Sequence, residues 1–238
     1  MYNIILYYLS LTIKIIFVLG LDVYFHHTTV KFNGDETNSE DFQKFCEDVD
    51  KLAQKTAAEK FEKLLAPLRE AWQNLQTNDY WRNIYNERYF TFVEKARPLI
   101  CRNGYDWLLH PYTERVLDLP DLEAVIKGSV DGYYEPYDAY FRKVNFLFAY
   151  YENTGKMMSE YYAFTDAADI DDIIDRCGRV LKDHSLADEL LPTQSGFFFG
   201  GTDYDDWYFS DVKDCLKQMR KYRKLLKDGV TGYVIFSW

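Results

Sequence analysis

Residues 190–209 read LLPTQSGFFFGGTDYDDWYF. Three successive aromatics, Phe197, Phe198 and Phe199, predict a strand apolar on both faces, of the kind found at the centre of a sheet. Gly200 and Gly201 break that pattern. Tyr204, Tyr208, Val212, Cys215, Met219, Tyr222 and Leu226 then recur three or four apart, which sets them on one face of the longest helix of this half of the chain. Thr202 or Asp203 is placed to cap that helix, with Asp205 or Asp206 at the matching third position, and carboxylates there oppose the positive end of the helix dipole. Lys213, Lys217, Arg220, Lys221, Arg223, Lys224 and Lys227 load the far end with cations, and Asp228-Gly229 ends it. A strand feeding a helix N-terminus is the expected centre of the fold and the best candidate for a functional surface.

Working outward, residues 233–238 (YVIFSW) predict a closing strand. Residues 161–164 (YYAF) predict another, followed by a helix with apolar positions Ile170, Ile173, Ile174, Cys177, Val180 and Leu181. Tyr137, Tyr140, Phe141, Val144, Leu147, Phe148 and Tyr151 form an aromatic stripe at helical spacing, with Arg142, Lys143 and Asn145 on the other face. Residues 21–26 predict the first strand; of His26 and His27 at its end, at most one faces inward. Phe42, Phe45, Cys46, Val49, Leu52 and Ala53, then Leu64, Leu65, Leu68, Trp72 and Leu75, predict a long helix that Pro67 kinks or divides. A further helix spans Trp81, Ile84, Tyr85, Tyr89, Phe92, Val93 and Ala96 and is stopped by Pro98, after which residues 99–132 predict loop and one short helix at 122–126. The expected class is α+β: a small, mainly antiparallel four-stranded sheet packed with helices, in a single domain over residues 19–238 with a largely helical insertion at about 36–130.

A chain of 238 residues buries a substantial core, and 47% hydrophobic with 28% charged residues is ordinary for a globular protein. Aromatics at 18% mean that rings with polar tips build much of that core and its rim. A formal charge of −10 excludes broad binding to a phosphate backbone, which needs a cationic surface, while leaving room for a local basic groove. Cys46, Cys101, Cys177 and Cys215 stand singly, with no CxxC pair and no His at metal-ligand spacing, and read as reduced core thiols. Residues 1–18 are apolar, but Lys14 interrupts them and neither a basic region nor a small-residue cleavage site accompanies them. Three readings stand for them: sequence upstream of the natural start or an unstructured extension, a membrane anchor, or a core element.

Several colinear blocks resemble a family of uncharacterised proteins found mainly in bacteriophages and prophages. Its members begin near Met-Gly-Leu-Asp and carry a Tyr-Trp-Arg-Lys-Ala-Asn helix. The matching pieces are Gly20-Leu21-Asp22-Val23-Tyr24, Tyr140-Phe141-Arg142-Lys143-Val144-Asn145, Leu191-Pro192-Thr193-Gln194-Ser195-Gly196-Phe197-Phe198-Phe199-Gly200, Tyr204-Asp205-Asp206-Trp207 and Ser237-Trp238. The resemblance covers the first strand and roughly the last hundred residues, not the insertion. It places Leu19 at the position of the family's initiator Met and implies a mobile-element origin, hence a host-cell cytoplasm. It implies no activity, and where family members often carry a His one turn after the Asn this chain has Phe148.

The chemistry on offer is sparse. Asp203, Asp205 and Asp206 suggest a pocket for a divalent cation, an amine or a partner's Arg, but Asp-x-Asp alone supplies too few oxygens for a hard cation, which needs further ligands such as Asp22 and Gln194 if their strands are neighbours, and no metal is expected. Gly200-Gly201 before a helix would suit a phosphate, yet three carboxylates repel it and the Gly-Lys-Ser/Thr of a P-loop is missing. Ser195-Gly196 lacks the Gly two residues before the Ser that a nucleophile elbow needs, and the nearest His in sequence is His184. Pro192, Thr193, Gln194 and Ser195 more readily fix a loop by hydrogen bonding to backbone.

No catalytic residue and no cofactor is expected. The candidate ligand-binding set is Arg142, Asn145, Gln194, Ser195, Asp203, Asp205, Asp206 and Trp207. The leading expectation is a non-enzymatic accessory protein of a phage or mobile element that binds a host protein or a small ligand, touching membrane only if residues 1–18 anchor it. The alternative is a binder or hydrolase of a nucleotide-like molecule, with Arg142 on phosphate, aromatic rings on the base, and the Asp cluster acting directly or through a metal.

Overall fold

The computed structural model describes residues 20–34, 38–75, 79–101, 115–133 and 136–238. In chain order the elements are β1 (Asp22–Thr28), α1 (Ser39–Asn74), α2 (Asp79–Cys101), α3 (Leu119–Asp131), β2 (Ala139–Arg142), α4 (Asn145–Asn153), β3 (Met157–Ser159), β4 (Tyr162–Thr165), α5 (Ala167–Lys182), a 3-10 turn (His184–Leu186), α6 (Ala187–Leu190), α7 (Asp206–Tyr222) and β5 (Thr231–Ser237). The described residues fall into two compact units, one within residues 20–41 and 137–238 and one within residues 42–136.

The first unit is α+β. Its open sheet has the order β2-β1-β5-β4-β3, and every neighbouring pair is antiparallel. Val23 pairs with Phe141 on one side and Phe236 on the other, while Phe25 pairs with Ala139 and Val234. Alternation along each strand sends these side chains to one face, where they join a single core with Leu147 and Tyr151 of α4, Ile170 and Ile173 of α5, and Val212 and Met219 of α7. Helix α5 is well specified locally. Asp166 and Asp169 form a capping box, Arg179 and Lys182 occupy the last turn, and Ile170, Ile173, Cys177 and Val180 are buried along one face. Cys177 and Cys215 are free thiols in this core.

The sheet has five strands rather than four. Phe197-Phe198-Phe199 is a turn, not a central strand. Residues 139–142, expected within an aromatic helix, form edge strand β2 instead, and the helix begins only at Asn145. Lys143 divides the two with a positive φ of 62°. Strand β3, three residues long, is too short to show a period. Helix α7 is bounded at 206 and 222, so Tyr204 and Leu226 lie outside it, although Tyr208, Val212, Cys215, Met219 and Tyr222 make its buried face as the spacing requires.

The second unit is helical. Helix α1 runs unbroken through Pro67, and α2 continues past Pro98 to Cys101. Phe61, Leu65, Leu68, Tyr89, Phe92 and Leu122 bring α1, α2 and α3 around one core. Leu52 departs from the expected buried stripe and is exposed. The short helix expected near 122–126 is a longer one, α3. The Cys46 thiol, half-buried, is pushed up to about 12 by burial and then by Asp50 and Glu47. No helix among the described residues is long and apolar enough to cross a membrane. The expectations for residues 1–18, for Leu19 and for the Cys101 side chain lie outside the described residues.

Gly232 of β5 pairs with Thr165, and a Cβ there would stand 2.6 Å from the Thr165 carbonyl oxygen and 2.9 Å from both Leu226 and the Tyr222 hydroxyl. Backbone on one side and buried side chains on the other leave no room to give way. Gly232→Ala is therefore expected to destabilise the first unit by about 2 kcal/mol, read as a lower urea midpoint at unchanged m-value.

Candidate functional site

The segment between α6 and α7 has no regular secondary structure, so its backbone groups must find partners outside a helix or sheet ladder. Asn145, the first residue of α4 and only 3% exposed, supplies three of them. Its Nδ2 donates to the carbonyls of Phe199 (3.3 Å) and Gly201 (2.9 Å), and its Oδ1 accepts from the Gln194 N–H (3.4 Å). The Leu21 N–H donates to the Phe198 carbonyl at 2.9 Å, and the Lys143 N–H donates to the Leu21 carbonyl at 2.6 Å. Thr193 closes the neck of the loop, its hydroxyl donating to the Thr202 carbonyl at 2.9 Å. The Tyr208 hydroxyl holds the Leu191 carbonyl at 2.8 Å.

Within this frame the three phenylalanines separate. Phe199 plugs inward between Phe148 (ring centroids 5.0 Å apart) and Trp238 (5.4 Å). Phe198 is half-buried, and Phe197 at the tip is 92% exposed. Two glycines make the turn feasible. A Cβ on Gly196 would lie 2.6 Å from the Phe199 ring, and Gly200 has a φ of +96° while packing against Lys143.

The acidic run is arranged by helix capping. Asp205, not Thr202 or Asp203, is the N-cap of α7 and accepts from the Tyr208 N–H at 2.9 Å; Asp206 sits in the first turn. Asp203, Asp205 and Asp206 are all exposed, and Trp207 beside them is 80% exposed. One turn on, the Asp211 carboxyl is raised above its usual value by burial and then by the neighbouring Asp214 and Asp205 charges.

The predicted residues therefore meet only in part. Asn145 and Gln194 touch; Ser195 is exposed on the same loop. Both amide hydrogens of Asn145 are engaged by backbone carbonyls, which leaves none for a ligand. Arg142 is exposed at the end of β2, and among the described residues no ion pair joins it or Lys143 to the Asp cluster. Asp22, considered as a further oxygen donor, is buried and accepts the Tyr140 hydroxyl at 2.5 Å. That phenol is pushed up to about 12 by burial and the Asp22 bond, with Arg142 pulling the other way. His184 stacks on Phe209 with centroids 3.7 Å apart. His26 is buried against Tyr233, while the half-buried His27 pairs with Asp138 at 2.6 Å. No group of three or more His, Cys, Asp or Glu among the described residues is arranged to hold a metal.

The segments around Leu21, Asn145, Phe199 and Trp238, far apart in sequence, thus assemble at one end of the sheet. Compared with protein-family models, curated proteins and solved structures, the chain matches none.

Asn145→Ala strands three backbone groups of the loop, a change expected to cost about 3 kcal/mol and to speed hydrogen exchange at the Gln194 amide, whereas Phe197→Ala should shift stability by less than about 0.5 kcal/mol. Because the fold raises Asp211 above 3.8, the stability carried by its protonated form is complete below that pH and is lost as pH rises through the folded-state value. Asp211→Asn should accordingly raise the thermal midpoint at neutral pH, the gain shrinking as pH falls toward 3.8 and vanishing below it.

Proposed function

We propose that this chain is a non-enzymatic binding protein, an accessory factor of a phage or other mobile element acting in the host cytoplasm, and that it contacts a host protein through the loop between α6 and α7. One observation carries the reading: Phe197 is 92% exposed at the tip of a loop whose backbone is pinned by Asn145, Leu21 and Thr193. An apolar ring held in water costs free energy that a disordered loop would avoid by collapsing. A ring on a pinned backbone, by contrast, leaves only its own rotamers to be ordered on binding, which suits it as an aromatic anchor of a protein interface. Trp207, at the first turn of α7, adds a second exposed ring, and Asp203, Asp205 and Asp206 give the same segment a negative field that favours a cationic rim on the partner.

The nucleotide-like alternative draws less support from the geometry, since Asn145 is spent on backbone and Asp205 on the helix cap.

A photoreactive residue at position 197 tests the reading in host cells. It is expected to give a discrete protein adduct that excess wild-type chain competes away, while Phe197→Asp abolishes co-purification of that protein at unchanged thermal midpoint. Retention of every partner by Phe197→Asp would sink the proposal. So would turnover of nucleotides or esters by the purified chain that Asp205→Ala removes without unfolding it.

A further inference from the structure

A cleft of about 690 Å³ opens in the first unit at the other end of β5, between the chain after β1, strands β3 and β4, and the start of β5. That volume is within the range of small-molecule sites. Its walls are chemically divided. Phe32 and Phe164, with ring centroids 4.7 Å apart, and Met157, Met158 and Val230 supply apolar surface. Lys31, Lys156, Asp166 and Asp169 supply charge.

The two acids are already committed. Asp166 turns a carboxylate oxygen toward the α5 backbone, accepting from the N–H groups of Ala168 (2.8 Å) and Asp169 (3.0 Å). Asp169, only 5% exposed, accepts from the Asp166 N–H at 3.1 Å and pairs with the Lys156 ammonium. The cations are disposed differently. Lys156 is held from both ends: Gly155 turns the chain with a φ of +68°, the Lys156 N–H donates to the Tyr151 carbonyl at 3.0 Å, and the ammonium is fixed by Asp169. Its side chain is still 39% exposed, and an ammonium has three hydrogens to give. Lys31 is exposed and, among the described residues, has no carboxylate partner. The two ammoniums and two carboxylates of the cleft balance formally, but Asp166 is turned to the α5 backbone and Asp169 to Lys156, so the hydrogens still open are those of Lys31 and the remainder of the pre-positioned Lys156, beside a pair of rings.

We propose that this cleft binds a small organic anion, a carboxylate or phosphate monoester carried on an aromatic body, with Lys31 and Lys156 taking the charge and the Phe32–Phe164 pair taking the ring. The site is independent of the Phe197 loop.

Calorimetric titration of the full chain with naphthoate, naphthyl phosphate and naphthylmethylamine tests it. Saturable binding of at least one anion and none of the amine is expected, the tighter anion identifying the headgroup. Lys31→Glu, an exposed change that should leave the thermal midpoint in place, is expected to weaken that affinity about fivefold or more. Lys156→Gln should weaken it too, and Phe197→Ala should leave it unchanged. No saturable binding of either anion at millimolar concentration, equal binding of the amine, or full affinity in Lys31→Glu would each overturn the proposal.

Discussion

One buried carboxamide organises the end of the sheet where the chain is least regular. A loop without helix or strand is normally confined to the surface, since buried peptide groups need partners. Asn145 pins the inner side of such a surface loop by meeting two carbonyls and one N–H of the α6–α7 connection at once. Its position depends in turn on Lys143, whose left-handed backbone lets an edge strand become a helix within two residues. Such a conformation costs a non-glycine residue on the order of 1 kcal/mol, and the Lys143 N–H bond to Leu21 helps hold it. First strand, edge strand, helix and loop are in this way tied to one another.

That arrangement sorts three identical residues into three roles. Phe199 belongs to the core, Phe198 lends its carbonyl to Leu21, and Phe197 is left to solvent. Hydrophobicity alone would bury all three. What decides is the turn from Gly196 to Phe199, which commits the ring of the last residue inward and the first outward. The adjoining carboxylates have a more ordinary cause: Asp205 satisfies a free amide at the start of α7, and Asp206 faces the positive end of the dipole.

Much of this was legible in the sequence. Helical spacing gave the buried faces of α5 and α7, the first and last strands were found within two residues of their bounds, and the antiparallel α+β class follows from them. The failures share a physical origin. Alternation and helical spacing cannot be told apart over four residues, so β2 merged with the aromatic stripe of α4. Phe197-Phe198-Phe199 satisfied the pattern of a buried strand because a pattern reports apolarity, not whether backbone partners lie alongside. Asn145 reads from sequence as a ligand contact, yet its bonds run to backbone more than forty residues away, a distance no local signal spans. The cleft at Lys156 has no local signature for the same reason, although the Asp166/Asp169 pair beside it has the spacing of a capping box.

The central place of β5 bears on how the chain acquires its shape. Strand β5 bridges β1 and β4, so the two halves of the sheet have no common neighbour until it arrives, and His26 must find Tyr233 across nearly the whole sequence. During synthesis β1 precedes the other four strands and waits for β5, the last of the five. Closing so long a loop is slow, and an unpaired edge is prone to wrong pairings in the interval. The helical unit of residues 42–136 shortens the wait if it collapses on its own, because its folding replaces a long flexible excursion between β1 and β2 with a compact body.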